Sequence, residues 1–148
     1  MAASRVFLIA LGLLAAVPSV WALDYRSVNV PAATLFDAPS HKAKKLYLIK
    51  AQTPVEVVVR LEGWTKIRDA EGTLAWIDAA QLAEQRNLIV TAGGAEIRQS
   101  ELADGVVLAR LDKWVVLELL GPSAPGWAKV RHRDGVTGFI KTTQVWGL

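Results

Sequence analysis

Three short segments resemble pieces of catalytic motifs, and each lacks the context that its chemistry requires. His132-Arg133-Asp134 spells the HRD of a kinase catalytic loop, but the downstream Asn spacing and a Gly-rich loop are missing. Gly121-Pro122-Ser123-Ala124-Pro125 resembles a nucleophile elbow, yet its last residue should be Gly and it has no plausible His partner. Gly93-Gly94 precedes no predicted helix that would hold a phosphate. We therefore interpret all three segments as turns or loops.

Metal and acid–base chemistry need converging side chains that the sequence does not supply. The chain has two histidines, His41 and His132, whereas a zinc site takes three or four ligands. Its carboxylates are scattered among turns, and Glu71 and Asp134 fall at equivalent turn positions rather than in one cleft. The absence of Cys excludes disulfides, thiolate metal sites and a lipoprotein anchor. We expect no catalytic residues, no metal, no cofactor and no enzyme activity.

The first residues of the chain predict export. Arg5 is followed by the apolar run Val6–Val17, then by Pro18 and small residues up to Ala22. One positive charge, a short apolar core and small residues near the cut are typical of a secretory signal peptide. An uncleaved anchor would need about 20 apolar residues. We predict a signal peptide over residues 1–22, cleaved after Ala22, with no stable membrane anchor afterwards. Its removal takes the formal net charge from +3 to +2, which indicates little about partners.

The elements that would position any site occur twice in the chain. Residues 63–82 align without a gap on residues 126–145, with seven identities in twenty positions, among them GWTKIR against GWAKVR. Within each unit the apolar residues alternate with a period of two, and Asp134-Gly135 between two such runs is a strong hairpin signal. The predicted mature chain shows no sustained helical spacing. The pattern predicts an all-β chain of two tandem small β-barrels, since closure hides the sheet edges of so small a domain.

The order of these features resembles bacterial SH3 domains. That family's unit has an extended opening segment, a hairpin ending in a G-W-x-K-V/I-R strand, a turn with D-G and a G-W-V/I strand. The first copy reads PVEVVVRLEGWTKIRDAEGTLAWI and the second WVVLELLGPSAPGWAKVRHRDGVTGFI. The resemblance implies SH3-like domains at residues 25–82 and 88–148, in the exported tandem form of Gram-negative bacteria, and so a periplasmic location. The family's R-S-G-P loop is FDAPS at Phe36–Ser40 and RQSEL at Arg98–Leu102, so the copies need not share a ligand.

The resemblance also implies a ligand groove framed by aromatic residues. In SH3 relatives the Trp equivalent to Trp64 and Trp127 helps to frame the groove, and such slots bind proline-rich peptides at low entropic cost. The candidate groove residues are Phe36, Tyr47, Trp64 and Trp76 in the first copy, and Trp114, Trp127 and Phe139 in the second. The alternative is that these rings fill the barrel core. We favour that alternative for Trp76 and Phe139, which alternate within a strand, and both readings stay open for Trp64 and Trp127.

Three hypotheses about function remain. The first is an envelope binding module that recognises cell-wall peptide (peptidoglycan) or a protein partner, and we prefer it. The second is a structural scaffold or accessory subunit of an envelope complex, which the short link Glu84–Asn87 favours because it allows little freedom between domains. The third is an anionic-polymer binder that uses a basic patch of Lys42, Lys44, Lys45 and Lys50. Export and the low net charge argue against that third hypothesis and against a nucleic-acid partner, and such a run is usually a solvated loop.

Overall fold

The chain forms two seven-stranded antiparallel sheets that follow each other in sequence, as seen in a computed structural model. The structure describes residues 22–121 and 123–148. The predicted signal peptide lies outside these residues except for Ala22, and so does Pro122 of the predicted 121–125 loop. The prediction of an all-β chain of two tandem domains is confirmed.

The first sheet has the strand order β3-β2-β6-β5-β4-β1-β7. Its strands are β1 Tyr25–Val28, β2 Ala32–Phe36, β3 Lys45–Lys50, β4 Pro54–Leu61, β5 Trp64–Arg68, β6 Leu74–Asp78 and β7 Leu82–Ala83. A single 3₁₀ turn, Ala79–Gln81, connects the last two strands, and the Asp78 carboxylate caps it by accepting a hydrogen bond from the backbone N–H of Ala80 at 2.9 Å. This capping turn sets the angle at which the chain leaves β6.

The second sheet repeats this order as β10-β9-β13-β12-β11-β8-β14. Its strands are β8 Asn87–Val90, β9 Ala95–Arg98, β10 Val107–Leu111, β11 Val116–Gly121, β12 Trp127–Arg131, β13 Thr137–Lys141 and β14 Val145–Trp146. A 3₁₀ turn at Thr142–Gln144 again precedes the last strand. The repeated GW dipeptides begin β5 and β12. The glycines before them have φ of +75° and +85°, a left-handed conformation that suits glycine and turns the chain tightly into the strand.

Each domain buries an aliphatic core, because alternate residues of its strands point inward. The first core consists of Val28, Ala33, Leu35, Val55, Ile67, Ala75 and Ile77. The second consists of Leu88, Val90, Ala95, Ile97, Leu111, Leu117, Ala128, Val130, Ile140 and Val145. No tryptophan belongs to either cluster of described residues.

The large aromatic residues of the repeated hairpins therefore face away from the cores. In β6, Ala75 and Ile77 are buried and Trp76 between them is half-exposed, and in β13 Phe139 is half-exposed between two buried neighbours. The expectation that Trp76 and Phe139 fill the barrels was wrong, because small and aliphatic side chains already occupy the inward positions. Trp64 and Trp127 lie on the same outer face as these residues and are also half-exposed.

The two domains pack against each other beside the short link that joins them. The side-chain amide of Asn87, which is only 2% exposed, donates a hydrogen bond to the backbone carbonyl of Gln52 at 2.9 Å. The rings of Tyr25 and Trp146 meet edge to face with their centroids 5.0 Å apart. The guanidinium of Arg86 lies 5.4 Å from the centre of the Tyr25 ring. These contacts bring together residues from the beginning of the first domain and the end of the second.

Candidate functional site

Three rings of the first domain meet at the surface, and we call them the aromatic cluster: Phe36, His41 and Trp64. The Phe36 and Trp64 rings are edge to face with centroids 5.5 Å apart, and the His41 ring lies 4.8 Å from Trp64 and 5.9 Å from Phe36. Phe36 ends β2 at a register shift, Trp64 starts β5, and His41 comes from the loop between β2 and β3. Phe36 is buried by this packing, whereas His41 is mostly exposed. The cluster therefore offers an aromatic surface to solvent.

Charged side chains lie near the aromatic cluster. The Nε2 atom of His41 is 3.7 Å from the carboxylate of Asp78, whose own Oδ1 caps the 3₁₀ turn. On the same outer face, the ammonium group of Lys66 lies 5.9 Å from the centre of the Trp76 ring. The loop that carries His41 is closed by Asp37, which accepts a hydrogen bond from the backbone N–H of Lys44 at 3.1 Å. The aromatic cluster thus has the Asp78 carboxylate at one side, and the outer face that it shares with Trp76 carries the ammonium group of Lys66.

The second domain replaces this cluster with a bonded arginine. Arg98 stands where Phe36 stands in the first domain, since each pairs with the aromatic residue of the neighbouring strand, Phe139 or Trp76. Arg98 is bonded to the carboxylate of Glu96 and donates to the carbonyl of Gly105 at 2.7 Å. Among the described residues, neither Trp127 nor Phe139 makes a close ring pair.

A carboxylate also ties two loops of the second domain together. Glu101, in the loop between β9 and β10, accepts hydrogen bonds from the Ser123 hydroxyl and from the backbone N–H of Ala124, the latter at 2.9 Å. The Ser123 hydroxyl bond is the main cause that lowers the pKa of Glu101 below its ordinary value, and the Ala124 bond adds to it. In the first domain the β4–β5 turn is only Glu62-Gly63, which is too short to carry such a partner. The corresponding face of the second domain is therefore bridged by its own loops.

Two of the predicted groove residues lie instead in a cleft between the domains. This interdomain cleft has a volume of about 670 Å³. It is lined by Tyr47–Thr53 and Asp69–Glu71 from the first domain and by Ile89, Trp114–Val116 and His132-Arg133 from the second. Tyr47, which also packs against the core of its own domain, and Trp114 thus line one cleft and do not join Phe36, Trp127 or Phe139.

Tyr47 is fixed in this cleft by a short hydrogen bond. Its hydroxyl donates to Oδ2 of Asp69 at 2.5 Å, while Oδ1 of Asp69 accepts from the backbone N–H groups of Glu71 and Thr73 at 3.0 and 2.8 Å. Burial of the phenol and the bond to Asp69 raise the pKa of Tyr47 well above its ordinary value. Tyr47 therefore stays protonated and acts as a donor that anchors β3 to the β5–β6 turn.

The lysines of the predicted basic patch do not form one surface. Lys42, Lys44 and Lys45 are exposed on and just after the loop that carries His41. Lys50 ends β3, five residues beyond Lys45, which corresponds to about 16 Å of strand. It lines the interdomain cleft instead. The other three lysines follow His41 within four residues of the chain, so Lys50 lies apart from them.

The parts of the chain that the structure describes hold no grouping of three or more side chains suited to bind a metal ion. Over the same residues, no helix is long and apolar enough to cross a bilayer. The sequence reasoning missed His41 as a member of the aromatic cluster and Glu101 as a loop bridge. The only available signals were the position of His41 in the divergent loop and the extra length of the second copy's β11–β12 loop.

Comparison with known proteins gives a family match over most of the chain. The model of the family described as "Bacterial SH3 domain" matches residues 29–84 and, a second time, residues 92–147. No curated protein sequence matches the chain significantly.

Three solved structures match the chain with low similarity. NlpC2 from Trichomonas vaginalis is 12% identical with a TM-score of 0.40, and the match covers 86% of this chain and 49% of that one. NlpC1 from the same organism is 14% identical with a TM-score of 0.39, covering 92% and 50%. An NlpC/P60 family protein from Bacillus cereus is 16% identical with a TM-score of 0.38, covering 82% and 55%. The matched region spans about half the length of each of these proteins.

Proposed function

Because the chain belongs to the bacterial SH3 domain family, we propose that it is a non-catalytic binding module of the cell envelope. The first domain recognises cell-wall peptide, and the observation that carries this assignment is the aromatic cluster, in which the exposed ring of His41 and the half-buried ring of Trp64 pack on the buried ring of Phe36. The signal-peptide pattern of the first 22 residues supports export, and the family resemblance supports a periplasmic location.

The chemistry around the aromatic cluster suits a short peptide that carries both charges. Aromatic faces bind aliphatic side chains and extended backbone with little loss of conformational entropy. The Asp78 carboxylate beside His41 can receive an amino group, and Lys42 and Lys44, which are exposed in the loop that carries His41, can supply ammonium groups to carboxylates. Cell-wall stem peptides carry amino and carboxyl groups together with small aliphatic side chains, so they match this surface.

The first domain, rather than the second, is assigned this role for two structural reasons. Arg98 replaces the ring of Phe36 and is already bonded to Glu96 and to a backbone carbonyl. Glu101 joins the two loops that would flank a groove in the second domain. A ligand would have to break these bonds there, whereas the first domain presents its rings without such a bridge.

A sedimentation assay with purified peptidoglycan sacculi tests this proposal. The wild-type chain is expected to sediment with the sacculi, and Trp64→Ala is expected to lose about 2 kcal/mol of binding, roughly a 30-fold weaker affinity, as for an aromatic hot spot. Trp127→Ala, the same change at the equivalent position of the second domain, is the matched control and should bind as wild type. Trp64→Phe should retain part of the affinity because it keeps a ring.

Thermal unfolding of the same variants separates binding from folding. Trp64 lies on the outer face of β5, so its truncation should cost less than the ~3–5 kcal/mol that removal of a core aromatic costs. Binding that is equal in Trp64→Ala and wild type would show that the aromatic cluster is not the site. If the wild-type chain fails to sediment, cell-wall peptide is not the ligand.

The second candidate function is a scaffold that positions another envelope protein, and the packed junction between the domains favours it. Asn87 is buried and bonded across the junction, and Tyr25 packs on Trp146. Such contacts favour one relative orientation of the two domains. A chain that does not sediment with sacculi but is recovered with one envelope protein after cross-linking in cells would support this function over the first.

A further inference from the structure

The interdomain cleft exposes an unpaired strand edge. β3 is the end strand of the first sheet and pairs only with β2 among the described residues. Four consecutive residues of this strand, Tyr47–Lys50, line the cleft. Successive side chains of a strand point to opposite faces of the sheet. A cavity on one face would therefore contact only every second residue, and contact with four consecutive residues indicates that the cavity lies along the backbone edge of the strand. An edge strand turns the N–H and C=O groups of every second residue away from its neighbour. Here these are the groups of Leu48 and Lys50, of which the Lys50 carbonyl accepts from the backbone N–H of Thr53 at 3.3 Å.

The opposite wall of the cleft carries an exposed tryptophan in an unusual backbone conformation. Trp114 is 42% exposed and has φ = +75°, a region that bulky residues seldom adopt. The equivalent residue of the first domain is Gln52, which has φ = +65°. Each of these two residues donates a backbone hydrogen bond of 2.8 Å to a valine carbonyl in the first strand of its own domain, Val28 for Gln52 and Val90 for Trp114. The turn therefore does not require an indole, and an indole held there at a backbone cost points to a use in the cleft.

The dimensions and charges of the cleft suit one extended polypeptide segment. Its volume of about 670 Å³ falls in the ~300–1,000 Å³ range of ligand pockets. Four strand residues give an edge of about 13 Å. Lys50, Arg133, Asp69 and Glu71 all line the cleft, so these charges are balanced. Leu48, which is 65% exposed, adds apolar surface next to the edge.

From these observations we propose that the interdomain cleft binds an extended segment of a protein partner. The segment adds a strand to the free edge of β3, and one of its apolar side chains packs on the indole of Trp114. A regular ladder needs backbone N–H and C=O groups at the constant spacing of L-residues. Cell-wall stem peptides contain D-residues and side-chain amide links, which interrupt that spacing, so a protein segment fits this edge better. This site is separate from the aromatic cluster and does not rest on the function proposed for it.

Selection of peptides on the purified chain tests the proposal. The probe is a phage-displayed library of random linear L-peptides, from which enriched sequences are synthesised and their affinities are measured by calorimetry. Trp114→Asn removes the indole with a residue that tolerates positive φ, and it should weaken binding about 30-fold. Leu102→Asn, at an exposed leucine outside the cleft, is the matched control and should leave the affinity unchanged.

Two N-methylated versions of the best peptide test the strand pairing itself. One carries N-methyl groups at even positions and the other at odd positions. In an added strand only every second N–H faces β3, so one version should bind at least about 10-fold more weakly than the other. Equal affinities of the two versions would refute strand addition.

The remaining outcomes also decide the question. If no peptide is enriched, or if Trp114→Asn and wild type bind enriched peptides equally, the cleft is not a peptide site. If soluble peptidoglycan fragments displace the enriched peptides competitively, the occupant is cell-wall peptide and the assignment to a protein segment is wrong. If the chain dimerises and the enriched peptides bind only the monomer, the edge belongs to an interface between two copies.

Discussion

Gly138 of β13 should tolerate no side chain, although the equivalent residue of the first domain is Ala75. Both positions are buried and point into their cores. A Cβ added to Gly138 would overlap the carbonyl oxygen of Arg98, and it would stand 2.7 Å from Cγ2 of Ile97 and 3.2 Å from Cδ1 of Leu108. The first of these neighbours is backbone of the adjacent strand β9, which cannot rotate away as a side chain can. Gly138→Ala should therefore force β9 and β13 apart.

The size of the effect follows from two opposing contributions. Overpacking costs about 1–3 kcal/mol, and a conflict with backbone belongs near the upper end of that range. Alanine in a strand recovers about 0.5–1 kcal/mol relative to glycine, because the unfolded chain loses less freedom. We expect Gly138→Ala to lower the free energy of unfolding by about 2 kcal/mol. The reverse change, Ala75→Gly, should cost about 1.5 kcal/mol through one lost buried methyl group and the added freedom of glycine.

Urea unfolding followed by circular dichroism measures both changes, and amide hydrogen exchange assigns them to a domain. Exchange should accelerate in β9 and β13 for Gly138→Ala and in β2 and β6 for Ala75→Gly. The reasoning is refuted if Gly138→Ala is as stable as wild type, since the Arg98 carbonyl would then yield without cost.

Two further predictions concern the junction and the tyrosines. Asn87→Ala should cost about 1–2 kcal/mol by leaving a carbonyl of the first domain without its donor, and it should broaden the interdomain distances seen by small-angle scattering. The control is Asn29→Ala, which removes a solvent-exposed hydrogen bond from a side-chain amide to the Ala80 carbonyl within the first domain. Equal scattering of the two variants would contradict the role of the junction. Burial raises the pKa of Tyr25 and, together with Asp69, that of Tyr47 above the ordinary value of 10.0. The unfolded chain then loses these protons first, so the stability they contribute is complete below pH 10 and should decline as the pH rises above it. Thermal unfolding above pH 10 should show that the stability of Tyr47→Phe declines less steeply with pH than that of the wild type. Parallel profiles of the two proteins would contradict the raised pKa of Tyr47.

The fold was predictable because its signals are local. Period-two alternation and the glycine before each Trp specify β5 and β12 through sterics within a few residues. The repeat then predicted a second domain of the same kind without any knowledge of how the two domains meet.

The candidate site was only partly predictable because it depends on contacts between distant segments. Phe36 and Trp64 do meet, but His41 joins them through a loop whose shape no local pattern indicates. Trp114 was grouped with Trp127 as an aromatic residue of the same copy, yet its turn faces the other domain. The pattern of β6 showed that Trp76 alternates with Ala75, but it does not reveal which of the two faces is buried. In the structure Ala75 and Ile77 of this strand are the buried residues and belong to the first core.

The junction makes the order of the two copies matter to the architecture. The turn that carries Gln52 in the first copy meets the start of the second copy, where Asn87 lies. Tyr25 begins the first copy and Trp146 lies near the end of the second, so their contact depends on the order of the copies. In a chain with the copies exchanged, the turn entering the junction would carry the indole of Trp114, and Tyr25 and Trp146 would belong to the wrong ends. Each barrel would still have its own core, but the pair would lose its orientation. The two copies, although they share one fold, thus form a directional unit.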